Sequence, residues 1–166
     1  SNVVIYENDT DIVDANGVLP HSFLTLVDGG LSSDVATAIW RNRPTGIRSQ
    51  GNTSVDIIDS FGYVRTINFS RPAEVQVYIE IDLETNNRFP EDGEQKIKEA
   101  LISYINGLTI NDDVVYSRLY TPINSVEGHQ VNSLRIGTDP GNLGVSNIVT
   151  NFDEIAKTQS ANIVFV

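Results

Sequence analysis

The run Val75-Gln76-Val77-Tyr78-Ile79-Glu80-Ile81-Asp82-Leu83 alternates aliphatic and polar residues without a break. Successive side chains of a strand point to opposite faces, so Val75, Val77, Ile79, Ile81 and Leu83 share one face while Gln76, Tyr78, Glu80 and Asp82 share the other. A strand dry on one side and wet on the other belongs in an antiparallel or mixed sheet covered on a single face. The cover follows directly. Asp92-Gly93-Glu94-Gln95 offers a helix cap with a reciprocal glutamine three residues on, and Ile97, Ala100, Leu101, Tyr104 and Ile105 recur as an apolar stripe that Asn106-Gly107 ends.

The first half reads differently. Val3-Val4-Ile5-Tyr6 is a short apolar strand, and Ser22 to Val27, dense in Leu, Val, Thr and Phe, is a second that Asp28-Gly29-Gly30 terminates. Ser32 or Ser33 is placed to cap a helix whose Val35, Ala36, Ile39 and Trp40 share a face and which Pro44 and Gly46 stop. Ser54 to Ile58 and Tyr63 to Phe69 flank Asp59-Ser60-Phe61-Gly62, a hairpin pattern with glycine at the turn. Arg71-Pro72 then interrupts the ladder, since proline has no amide proton. The spacing predicts a β-α-β-β lobe over residues 1–71 and an acidic α+β lobe over residues 72–166. In the latter, further strands are expected near Val114-Val115, Gln130 to Ile136, Ser146 to Val149 and Asn162 to Val166, with helical turns from Arg118 to Asn124. The fold class is therefore α+β: two small lobes, each a mixed or antiparallel sheet with helices packed on one face.

Charge and composition narrow the chemistry. The net charge of −11 repels nucleic-acid backbones and anionic membrane surfaces, and 8 acids against 5 bases through Arg71 become 14 against 6 from Pro72 onward. Neither nucleic acid nor membrane is expected as a partner, and no apolar run approaches the ~20 residues that span a bilayer. Cysteine is absent, which removes disulfides, thiol catalysis and thiolate metal sites, and only His21 and His129 carry imidazole. Methionine is also absent and the sequence opens Ser1-Asn2, so a longer parent chain is expected.

Each candidate site has a simpler reading. Gly29-Gly30 before a helix suggests a phosphate cradle, but neither Gly-x-x-x-x-Gly-Lys-Ser/Thr nor Gly-x-Gly-x-x-Gly is present, and Asp34 in the first helical turn opposes an anion. The stretch Asp9 to Gly17 resembles a calcium loop until Ile12 and Val13 interrupt it and the closing glutamate fails to appear. Glu80 and Asp82, two apart on one strand face, are spaced like an acid/base pair, yet they read as a solvated face. His21-Ser22 lacks the nucleophile elbow, and Trp40, Arg41, Arg43 and Arg48 read as helix-end charge and packing rather than an anion site. No catalytic, cofactor or metal residue is assigned. Gly29, Gly30, Gly46, Gly51, Gly62 and Gly107 are assigned as structural turns.

An ordered set of short motifs remains: Tyr6-Glu7-Asn8-Asp9-Thr10-Asp11, Leu19-Pro20-His21-Ser22-Phe23, Val27-Asp28-Gly29-Gly30, Val35-Ala36-Thr37-Ala38-Ile39-Trp40, Thr45-Gly46-Ile47 with Gly51, Phe69-Ser70-Arg71-Pro72, and Ile102-Ser103-Tyr104-Ile105-Asn106-Gly107-Leu108. Together they resemble the carboxy-terminal part of the baseplate J-like family, wedge proteins of contractile phage tails and related injection machines. The resemblance implies a non-enzymatic virion component, located in the tail baseplate and assembled in the bacterial host cytoplasm. Its expected partners are other baseplate wedge proteins and copies of the parent chain, with no cofactor. Two rival readings stand beside it. A carbohydrate- or receptor-binding tail module would want exposed aromatics, whereas Trp40, Phe23 and Phe69 sit in core patterns, and a small hydrolase would have to use Glu80 and Asp82. The isolated chain is expected to be a monomer or weak dimer that associates more as salt screens its charge.

Overall fold

Strand β2 (Ser22–Asp28) is covered on both faces in the computed structural model, which describes residues 2–166. Two units divide between Ala73 and Glu74, and the chain is α+β throughout. In the first unit β1 (Asn2–Asn8) runs antiparallel to β2, with Val3 opposite Val27 and Ile5 opposite Thr25. The other edge of β2 is shared. At Ser22 to Leu24 it pairs in parallel with β3 (Arg48–Gln50), and further along, Ser70 donates to the Thr25 carbonyl and accepts from the Val27 amide. Helix α1 (Ser32–Asn42) and the antiparallel hairpin β4 (Thr53–Ile58) and β5 (Val64–Phe69) complete the unit.

The order β-β-α-β-β-β replaces the expected β-α-β-β. Strand β3 is Arg-Ser-Gln and carries no apolar period; pairing with the free edge of β2 makes it a strand, and Asn68 donates to the Ser49 hydroxyl and carbonyl beside it. The helix cap also differs: Leu31, not Ser32 or Ser33, is the N-cap, and its carbonyl accepts from the amides of Asp34 and Val35.

In the second unit the run Val75 to Leu83 is two strands rather than one. β6 (Ala73–Gln76) pairs with β9 (Glu154–Lys157), and β7 (Tyr78–Thr85) lies between β10 (Ile163–Phe165), parallel, and β8 (His129–Gly137), antiparallel. The break falls at Val77, whose amide donates to the Lys157 carbonyl and whose carbonyl accepts from Thr158 Oγ1. The period of two survives the change of sheet: Val77, Ile79 and Ile81 are buried, and Ile97, Leu101 and Ile105 of α2 (Gly93–Asn106) join them in one core. Leu119 and Ile123 reach the same core from a 3-10 turn, Tyr116–Leu119, that runs into α3 (Tyr120–Ile123). Val114 and Ile148 meet as an isolated bridge where two strands were expected. The expected capping box is not formed, because Asp92 pairs with Lys96 at 2.9 Å and Gln95 donates to Glu99.

Candidate functional site

Positive φ angles at Gly29 (83°) and Gly30 (76°) turn carbonyls, not amides, toward one point. The Arg71 guanidinium occupies that point. Nη1 donates to the Val27 carbonyl at 3.0 Å and to the Gly29 carbonyl, while Nη2 donates to the Gly30 carbonyl at 2.8 Å and to Ser32 Oγ at 3.3 Å. Its charge also lies over the Phe69 ring, 5.1 Å from the centroid. The pairing of Ser70 with β2 delivers Arg71 to this place. A ring of carbonyl oxygens complements a cation and repels a phosphate, so the turn has the polarity opposite to that of a nucleotide loop.

Of the other assigned turns, Gly46 and Gly62 have positive φ, and Gly51 lies directly against the Phe69 backbone. Gly107 is the C-cap of α2 in an ordinary right-handed conformation, φ −84°. Gly128, which the sequence did not single out, combines a positive φ of 86° with close approach to the backbone of Phe89.

The hairpin turn is organised by Asp59, whose side chain is 4% exposed. Its carboxylate accepts from the amides of Phe61 and Tyr63 and from Arg65 Nε, each at 2.9 Å. The Tyr63 amide does most to hold the Asp59 pKa below its ordinary 3.8; Arg65 and the Phe61 amide add to this and burial opposes it. A folded value below the unfolded one means that the contribution is complete above the ordinary carboxylate range and is lost as pH falls through the lower folded value. Arg65 lies 5.7 Å from the ring of Trp40, the sole tryptophan, so fluorescence reads this region. Below pH 4 the wild-type urea midpoint read by Trp40 should fall, whereas Asp59→Asn, already weakened at neutral pH, should show a shallower fall. Parallel slopes for the two proteins would refute this role for Asp59.

Trp40 was expected in the core; it is only half-buried, with Arg43 stacked 4.2 Å from its centroid. His21 Nε2 lies 2.9 Å from Asp11, but Ser22 Oγ donates to the Leu19 carbonyl at 2.6 Å and is turned away from a catalytic role. Glu80 is gripped by Arg135, with Nε donating at 2.9 Å, across the β7–β8 ladder, and Asp82 faces Asn132 at 3.4 Å. These are cross-strand pairs. In the loop after β1, Asp14 accepts from the amides of Asn16 and Val18, and Asn8 and Gln50 bond the surrounding backbone. Among the described residues no group of three or more His, Asp or Glu is placed to hold a metal ion, and no helix is long and apolar enough to cross a membrane.

No protein-family model and no curated protein matches the sequence. Solved structures do match. One, a chain of the anti-feeding prophage (AFP) baseplate determined by cryo-EM and 6-fold symmetrised, aligns with 93% of the present chain at a TM-score of 0.52 and 14% identity. The present chain spans 33% of that chain's length. The two share a fold.

Proposed function

We propose that this chain is a structural, non-enzymatic part of a contractile-tail baseplate, of a phage or a prophage-derived injection device, acting in wedge assembly through protein–protein contacts. The observation that carries the reading is the likeness of fold, over nearly the whole chain, to a chain of a prophage baseplate. The motifs that resemble the baseplate J-like family support it, since two of them, Val27-Asp28-Gly29-Gly30 and Phe69-Ser70-Arg71-Pro72, are tied together by the Arg71 guanidinium. The polar groups that could have served chemistry are spent on structure: Arg71 on carbonyls, Glu80 on Arg135, Asp59 on its own turn. The partners that follow are other baseplate wedge proteins and copies of the parent chain, in a tail baseplate built in the bacterial host cytoplasm.

The test is localisation in the particle. An epitope inserted at the exposed turn Asp139-Pro140-Gly141 of the parent chain, in the bacterium that produces the device, should appear by immunogold at the baseplate end of purified sheathed particles. Unlabelled particles, or complete particles from a strain deleted for the gene, would overturn the reading.

A further inference from the structure

The β4–β5 hairpin ends in an apolar knob. Ile58 and Val64 face each other on its last rung, Phe61 stands at the tip and Tyr63 beside it; Ile58 is 75% and Phe61 83% exposed. Exposed apolar clusters of this kind mark contact surfaces. The knob is preformed, because the three bonds to Asp59 fix the turn, and docking it freezes little.

A groove lies on the opposite flank of α1. Thr37, Trp40 and Arg41 face the hairpin, whereas Val35, Ala38 and Ile39 look toward β1. There Val3 and Ile5 are 55% and 63% exposed, and two hollows of about 240 and 270 Å³ run along the groove with Thr25 and Ile39 common to both. At the floor Thr25 Oγ1 is buried with no hydrogen-bond partner. Glu7 and Asp34 stand among the lining residues, and both are exposed; the half-buried Arg43, stacked on Trp40, lines the Glu7 end as well. The neck of the knob carries the half-exposed Arg65.

Knob and groove flank one helix on opposite sides, so a chain cannot seat its own hairpin in its own groove. We propose that the groove between α1 and β1 receives the hairpin tip of a second copy of this chain, with Phe61 and Ile58 against Val3, Ile5 and Ile39 and with the Arg65 guanidinium, bonded to Asp59 through Nε alone, turned toward Glu7 and Asp34. Such a contact is heterologous, head to tail, and propagates into a ring or a filament rather than closing a two-fold dimer. It rests on the assembly reading only for its setting. The measurement uses the isolated chain, so failure of the particle-labelling experiment and failure of this contact are separate results.

Sedimentation velocity of the 166-residue chain should show association that rises with concentration and with salt, since copies of charge −11 repel one another at low salt. Phe61→Glu and Ile5→Glu should each weaken association by about tenfold or more, the loss expected on removing an interface anchor. Circular dichroism confirms that each variant is folded, and Val3→Glu replaces Ile5→Glu if the latter is not. The decisive sample is the mixture: a chain lacking only its knob and a chain lacking only its groove retain one complete contact between them, and should form a heterodimer and nothing larger. A wild type that stays monomeric at every concentration and salt, single variants that associate like wild type, or a mixture that gives no heterodimer would each overturn the proposal.

Discussion

Gly128→Ala should destabilise the second unit by about 3–4 kcal/mol, up to about 3 from forcing atoms into a packed region and about 1 from left-handed backbone. A Cβ at this position would stand 2.2 Å from the Phe89 nitrogen and 2.5 Å from the Arg88 carbonyl carbon, and its nearest contacts are backbone that no rotamer change can clear. The turn it would displace is fixed from several sides. The Asn86 amide donates to the Gly128 carbonyl at 2.9 Å, and Asn86 closes the turn by accepting from Phe89. The Phe89 ring lies edge-on to His129, centroids 6.0 Å apart, and covers Gly93 at the start of α2, where an added Cβ would be 2.4 Å from it. Displacing Phe89 therefore disturbs the seat of α2 on the sheet. Part of the loss comes from the φ of 86°, and Gly46→Ala isolates that part: Gly46 has a φ of 87° and nothing within 4 Å of its would-be Cβ, so it should cost only about 1 kcal/mol. Urea unfolding followed by far-ultraviolet circular dichroism compares the two variants. Equal midpoints for Gly128→Ala and Gly46→Ala would remove the close approach from the explanation.

What could be read from the sequence is what periodicity encodes. The stripe Ile97, Leu101 and Ile105 and the alternation Val77, Ile79 and Ile81 meet in one core, as their spacing requires, and the α+β class follows from them. Periodicity says nothing about where a strand changes partner. The break at Val77 is made by hydrogen bonds to Lys157 and Thr158, some 80 residues away, and leaves the pattern untouched. Short polar strands are silent for a related reason: Arg48-Ser49-Gln50 is extended because β2 has an open edge beside it. The capping box at Asp92 failed through competition, Lys96 lying within ion-pair reach at i+4. The exposed knob was legible only as a turn, since Asp59-Ser60-Phe61-Gly62 reads as a hairpin and the exposure of Phe61 is seen in the structure alone. The groove was not, because it depends on α1 leaving Val3 and Ile5 uncovered. The grip of Arg71 on the Gly29-Gly30 turn has no local signature, and in the sequence Arg71 reads only as the residue before a proline.

Arg71→Ala should accordingly destabilise the first unit by about 2–3 kcal/mol, more than an ordinary surface arginine, through loss of charge-assisted hydrogen bonds. Three carbonyls and the Ser32 hydroxyl share one guanidinium. The sum of four such bonds would exceed that figure, but Gly29 and Gly30 are exposed and their carbonyls recover water when the side chain is removed. The Val27 carbonyl, in a buried residue, does not recover it so readily, and the stacking on Phe69 is lost as well. Lysine restores charge without geometry: a single ammonium cannot present the planar fork that reaches Val27 and Gly29 with one nitrogen and Gly30 with the other, so Arg71→Lys should recover less than half of the loss. Ser32→Ala removes only the 3.3 Å bond and should stay within about 0.5 kcal/mol of wild type, the range of surface substitutions. Trp40, the sole tryptophan, lies in the first unit, so its fluorescence during urea unfolding reads this unit directly. An Arg71→Ala protein that unfolds with wild-type stability, or a lysine variant equal to arginine, would mean that the fork does not hold the turn, and that the two motifs it joins are neighbours without being coupled.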